Sequence, residues 1–250
     1  MIRLNRTLKK IFWITLITSL VFILVFFLIQ KSSKELDRNR IALIDSIGNN
    51  HIFRGNNPLL TKNGKKIFAY EELTSYFNDI LQQQGLEPLS DYYLIDLSLL
   101  DLDQYYEINE ENKFFIEHPE YGMVINISTL SPHLLAKENS PNSNFITTAL
   151  AKRYNLWIND TLEKAHNIAA NKTDRPTVVY IHCDSGRDRT GLMAASYKLL
   201  FKNMNLVKVR LENIAEVGRN SRKSYNGAIN SYCLYVKEGY KKSDDYCDQN

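Results

Sequence analysis

The sequence predicts an α/β protein: a central sheet flanked by helices, preceded by one N-terminal transmembrane helix. Three observations predict it. The β-branched run Thr177-Val178-Val179-Tyr180-Ile181-His182 has the composition of a central buried strand. Several stretches of helical apolar spacing accompany it, and strands mixed with long helices pack as a sheet with helical cover. Ile11 to Ile29 carries no charge over nineteen residues, enough at about 1.5 Å per residue to cross about 30 Å of hydrocarbon.

The apolar run follows a basic start, Arg3, Arg6, Lys9 and Lys10. A cleaved signal peptide shares that feature, but its apolar core is usually about 7 to 15 residues and ends at a small-residue site. Phe26-Phe27-Leu28-Ile29-Gln30-Lys31 offers no such site. Residues 1–30 therefore read as an uncleaved single-pass membrane anchor, 31–40 as a charged juxtamembrane linker and 41–250 as one folded domain. Basic residues on both sides of the span leave the side of the domain open.

Within the domain, Leu73, Tyr76, Phe77, Ile80 and Leu81 form one helical stripe over 69–84, and Gly85 suits the stop. Residues 92–99 and 122–127 are short apolar runs that read as strands. A long helix is expected over 144–171, broken near Asn155, with Ile146, Leu150, Trp157, Leu162, Ala165 and Ala169 on its buried face. After the strand that begins beyond Pro176, helices are expected over 190–204, 206–217 and 227–240.

Charge narrows the function. The chain has a formal net charge of +3. The first forty residues contain eight basic and two acidic side chains, so residues 41–250 are net −3. The domain therefore lacks the cationic character of a nucleic-acid binder, and no nucleic-acid partner is expected. Three cysteines are too few for a disulfide scaffold. Cys233 and Cys247 are able to pair in an oxidising compartment. The plainer reading is a core Cys233 and an unpaired tail Cys247.

The chemistry lies between the β-branched strand and the next helix, in His182-Cys183-Asp184-Ser185-Gly186-Arg187-Asp188-Arg189-Thr190-Gly191. A loop before a helix N-terminus directs backbone N–H groups and the positive end of the dipole at an anion. Residues 184–189 thus read as a phosphate cradle, with Gly186 permitting the tight path. The same field favours the thiolate of Cys183, a nucleophile for in-line attack on phosphorus. The planar fork of Arg189 suits two equatorial phosphoryl oxygens, which Lys would not match. A P-loop NTPase is rejected, because Leu192 follows Gly186-x4-Gly191 where that motif needs Lys.

The complete His-Cys-x5-Arg-Thr-Gly string, with its strand before and helix after, resembles the signature loop of the cysteine-dependent protein tyrosine and dual-specificity phosphatase superfamily. Its Asp before the Arg resembles the loops of atypical bacterial tyrosine and lipid phosphatases. The resemblance implies a phosphatase-like sheet and a phosphocysteine intermediate. It makes Thr190 the hydroxyl that helps the sulfur leave, and His182 and Gly191 supports of the loop. Thiolate, amides and Arg189 supply nucleophile and charge stabilisation, so no cofactor or metal is expected. Ile52-Phe53-Arg54-Gly55-Asn56-Asn57-Pro58 faintly resembles a Tyr-Arg-Ser-x-x-Pro segment of small atypical phosphatases.

A general acid is also required. The family's Trp-Pro-Asp loop is missing, and 129–145 contains no Asp, only Glu138. Asp188 is therefore the expected acid, with Asp101 and Asp103 in reserve. Asp184 repels a second phosphate whereas Arg187 attracts one, so the loop alone does not announce a polyphosphorylated headgroup. The expected substrate is a phosphorylated protein, with a phosphoinositide as the alternative and a non-catalytic phosphate-binding module as a third reading.

Overall fold

The computed structural model describes residues 13–16, 18, 35–128 and 145–248. The chain divides into two units, Met1–Ser33 and Lys34–Asn250. In the first, residues 13–16 and 18 are helical, with Thr18 Oγ1 donating to the Ile14 carbonyl at 3.0 Å. Among the described residues no helix is long and apolar enough to cross a membrane. Most of the expected span and the start of the linker lie outside the described residues, as does Glu138.

The second unit contains strands β1 (Ala42–Ile47), β2 (Asn50–Asn56), β3 (Leu59–Lys62) and β4 (Lys65–Phe68), helix α1 (Tyr70–Gln83), β5 (Tyr93–Ser98) and α2 (Tyr105–Glu117). They are followed by β6 (Gly122–Asn126), α3 (Phe145–Ala170), β7 (Thr177–Cys183), α4 (Asp188–Phe201), α5 (Leu206–Val217) and α6 (Lys223–Gly239). The five-stranded sheet has the order β1-β2-β7-β5-β6. β1 runs antiparallel to β2, and the remaining pairs are parallel. β3 and β4 form a separate hairpin. Its two turn residues, Asn63 and Gly64, have φ of +53° and +75°, the left-handed pair that a tight two-residue turn requires.

Strand alternation divides the core. Ile52, Ile95, Leu97, Val179 and Ile181 lie in one cluster with Ile158 and Leu162 of α3, Met193 and Tyr197 of α4, Val209 of α5 and Ile229 and Tyr232 of α6. Phe53, Leu94, Val178 and Tyr180 lie in the other with Leu73, Phe77 and Leu81 of α1 and Phe115 of α2. Both faces of β7 are thus covered, which is why it reads as a continuous apolar run. Its central place puts the end of the strand, and Cys183 with it, in the middle of the sheet edge.

Three expectations are corrected. α3 runs unbroken through Asn155, whose Nδ2 donates to the Ser231 carbonyl and hydroxyl on α6 at 3.3 and 3.0 Å and so leaves the helix intact. α4 begins at Asp188, inside the signature string. Cys233 and Cys247 form a disulfide, so the tail Cys247 is not unpaired. The tail folds back as a 3₁₀ turn, Asp244–Cys247, and buries Tyr246 in the core.

Candidate active site

β7 delivers Cys183 to the mouth of the loop as a free thiol, 2% exposed. Gly186 has φ of +64°, and a Cβ there would stand 2.7 Å from the Gly55 carbonyl oxygen and 2.8 Å from the Asn56 nitrogen. Gly55 is equally confined, since its Cβ would lie 2.0 Å from Tyr180 Oη. Tyr180 Oη donates to the Asn56 carbonyl at 2.7 Å. The end of β2 and the signature loop therefore touch through backbone, which only glycine allows.

Arg54 on β2 supports this contact from below. It is fully buried, donating from Nη2 to the Gly186 carbonyl at 2.8 Å and from Nη1 to Asn213 Oδ1 and Glu216 Oε2 at 2.6 Å each. The sequence hinted at the role only through the faint 52–58 resemblance. An arginine within a buried strand between Phe53 and Gly55 was the available signal.

Arg189 emerges from the first turn of α4. Its Nη1 donates to the Leu99 carbonyl at 2.7 Å and to Asp101 Oδ2 at 2.9 Å, and its Nη2 donates to Gln104 Oε1 at 2.8 Å. The segment after β5 thus orients the guanidinium. Thr190 is fully buried, and its Oγ1 has no partner among the described residues. Gly191 donates its N–H to the Arg187 carbonyl at 2.9 Å, and its Cα faces Asn213 so closely that a Cβ would sit 3.0 Å from Oδ1.

Asp188 lies in the loop but is committed elsewhere. Its Oδ2 is 3.0 Å from Arg219 Nη2 and 3.3 Å from Arg222 Nε, and its Oδ1 accepts from the Arg222 N–H at 3.1 Å. The carboxylate ties the α5–α6 connection to the loop. Asp101 instead stands on Arg189, with Ser128 Oγ 3.4 Å from its other oxygen. Asp103 is exposed. Asp184 and Ser185 are half-buried in the cradle, and the Asp184 carbonyl accepts from the Asn57 N–H at 3.3 Å.

A cationic rim borders the loop. Arg187 is half-buried, and its Nε has no partner among the described residues. Arg40, which donates to the Val217 carbonyl, is held below the usual arginine range by burial and then by the nearby charges of Arg187, Arg219 and Arg54, against which only Asp37 acts. Tyr225 on α6 also belongs to the site: burial raises its phenol, while Arg189 opposes the rise and Cys183, Asp188 and Asp101 add to it. Nothing in the sequence pattern singled out Arg40 or Tyr225.

The sequence matches the tyrosine phosphatase family over residues 79–234, more than half of the chain and the whole of the loop just described. The chain belongs to this family. No curated relative matches the sequence. Among solved structures, PTPMT1 aligns with 14% identity and a TM-score of 0.45, covering 81% of this chain and 99% of its own. The same protein in complex with PI(5)P aligns with 13% identity and a TM-score of 0.44, covering 80% and 98%. The core catalytic domain of the PP-IP phosphatase SIW14 from S. cerevisiae, in complex with citrate, aligns with 15% identity and a TM-score of 0.37, covering 81% and 92%. As a member of the family, the chain is a cysteine-based phosphatase that hydrolyses phosphate esters.

Proposed function

We propose that this phosphatase acts on a phosphorylated inositol headgroup carrying more than one phosphate, in preference to phosphotyrosine. The observation that carries this reading is the rim of Arg40, Arg187 and Arg219 beside the loop, with the Nε of Arg187 left without a partner among the described residues. Crowded guanidinium groups repel one another, and an anion with several phosphates relieves that repulsion where a neutral tyrosyl ring does not.

In the mechanism, the Cys183 thiolate attacks phosphorus in line with the ester oxygen, forming the S–P bond as the O–P bond breaks. Amides of residues 184–189 and the Arg189 fork hold the equatorial oxygens and bind them more strongly as charge spreads over them. We assign protonation of the departing oxygen to Asp101 rather than Asp188, because Asp101 stands on the phosphate-binding guanidinium whereas Asp188 is occupied by two arginines. Water then gives its proton to the Asp101 carboxylate left by the first step and attacks the phosphocysteine, forming the O–P bond as the S–P bond breaks, with the Thr190 hydroxyl stabilising the departing sulfur as phosphate is released. The apolar run 11–29 would tether the domain to a membrane.

The test is a substrate panel with the full-length chain in detergent: an inositol bisphosphate, a phosphoinositide, a phosphotyrosine peptide and an aryl phosphate, without added metal. Inositol-based substrates should be preferred, and R187A with R40A should erase that preference while aryl phosphate turnover remains. Preference for the peptide would restore the phosphotyrosine reading. Activity that survives Cys183→Ser, or is lost to a chelator, would remove the cysteine mechanism. Resistance of the full chain to alkaline carbonate extraction tests the tether, and a mature protein starting after Gln30 would refute it.

A further inference from the structure

Directly behind the signature loop lie three titratable side chains that the mechanism does not use. His182, Asp96 and Glu111 are each fully buried. One imidazole nitrogen, Nε2, is 2.9 Å from Asp96 Oδ1 and 3.6 Å from Glu111 Oε1. They come from three elements: His182 from the end of β7, Asp96 from the adjacent β5, where Ser98 is the register partner of His182, and Glu111 from α2. Two carboxylates and an imidazole without solvent cannot all carry charge cheaply, so protons must be shared among them.

We propose that Asp96 and Glu111 are positioning residues for the nucleophile: Asp96 holds His182 as a buried imidazolium beside Cys183, and Glu111 completes the cluster as a neutral acid.

The charged groups facing His182 fit this arrangement, while its Nδ1 has no hydrogen-bond partner among the described residues. Burial works against the charged imidazole, but Asp96, Glu111 and Cys183 together raise it to about 9. Burial pushes Glu111 up to about 8; His182 opposes that rise, Asp96 and Glu107 add to it, and the Ser98 hydroxyl lowers it. Near neutrality Glu111 therefore keeps its proton, and Asp96, at 2.9 Å the closer of the two, is the carboxylate that faces the imidazole most directly. Glu107, one turn earlier on α2, is paired with Lys66 of β4 at 3.0 Å. The Tyr180 ring stacks on the imidazole at 5.4 Å, and its phenol, raised well above its ordinary value by burial and then by Asp96, Cys183 and Glu111, stays neutral. His182 and Cys183 are sequence neighbours, so a fixed positive charge on one favours the anionic form of the other.

The proposal rests on Cys183 being the nucleophile, and its test is independent of turnover. The rate of Cys183 alkylation by iodoacetamide in the full-length chain, followed against pH, reports the thiolate directly, and kcat/KM for an aryl phosphate is measured in parallel. Asp96→Asn should move the alkylation midpoint up by about one pH unit. Glu111→Gln, which replaces a neutral acid by a neutral amide, should leave the midpoint in place. A role confined to packing would leave both midpoints unmoved, and that result overturns the proposal. So would equal shifts in the two variants. Should Asp96→Asn fail to fold, ¹⁵N-histidine NMR of the wild-type chain decides: one of the five imidazoles should remain doubly protonated to about pH 9, and a neutral His182 at pH 7.5 would refute the charge assignment. Stoichiometric zinc in elemental analysis would convert the cluster into a metal site and equally refute it. The shift at Asp96→Asn together with a preference for the phosphotyrosine peptide over inositol substrates would instead overturn the proposed function and leave this inference standing.

Discussion

Arg189 Nη1 lies 2.9 Å from the carboxylate of Asp101, an ion pair between the first turn of the loop helix and the segment that leaves β5. The guanidinium proposed to grip the phosphoryl group is thus held in place by Asp101, Gln104 and the Leu99 carbonyl together. In the proposed mechanism the phosphoryl group meets this fork beside Asp101, the residue proposed to protonate the departing oxygen.

Asp101→Asn should therefore slow an alkyl or tyrosyl phosphate by roughly 10²- to 10⁴-fold while costing an activated aryl phosphate far less, because a stable leaving group needs no acid. Asp188→Asn should lower both substrates alike and weaken vanadate binding, since it loosens the anchorage of Arg219 and Arg222. Steady-state kinetics on both substrates check this. A leaving-group-dependent loss at Asp188 with none at Asp101 would return the acid to the signature loop.

Arg54→Ala should be among the most damaging substitutions outside the loop. It removes a fully buried cation that joins Gly186, Asn213 and Glu216 and leaves Glu216 without that partner. Breaking a buried pair in this way costs about 3 to 5 kcal/mol. Chemical denaturation should show that loss, and Arg54→Lys, which keeps the charge but loses the fork, should recover only part of it.

The pattern of legible and illegible residues has a physical basis. β7 and the loop were readable because a doubly covered strand is continuously apolar and the loop chemistry fixes residue type at each position. β2 was not, because it spends Asn50, Arg54 and Asn56 on buried hydrogen bonds across the fold, and such a strand has no apolar period. α2 was missed for a related reason: Glu111 and Phe115 are its only buried residues, whereas Tyr105, Tyr106 and Ile116 are exposed. Arg40 and Arg187 meet only through tertiary structure, so the substrate preference argued from the rim had no linear signature.

The Cys233–Cys247 bond closes a loop of 14 residues, and the chain-entropy model assigns a bridge of that span about 3 kcal/mol. In protein denatured without reductant, thiol titration should find one reactive thiol, Cys183, and three after reduction. Cys247→Ser should lower the unfolding free energy by about 2 to 4 kcal/mol with little change in kcat/KM. Three reactive thiols in freshly purified, oxidatively folded protein would show that the tail is not bridged.

The buried cluster behind the loop also predicts how stability depends on pH. Glu111 is raised from 4.5 to about 8 and His182 from 6.5 to about 9, so the folded chain binds more protons than the unfolded chain between about pH 4.5 and 9. Stability gained from groups shifted in this direction is fully present below the unfolded values and is lost as pH rises through the folded ones. The Glu111 contribution should fade between about pH 4.5 and 8, and that of His182 between about 6.5 and 9. Other carboxylates titrate at the acidic end, so the comparison with Glu111→Gln isolates the effect. That variant cannot take up the extra proton, and its stability should fall less steeply with pH by up to about 1.4 kcal/mol per pH unit. Denaturant midpoints at half-unit intervals from pH 5 to 9 measure the difference. Parallel curves for the two proteins would mean that Glu111 is already ionised in the fold, with His182 then shared between two charged carboxylates.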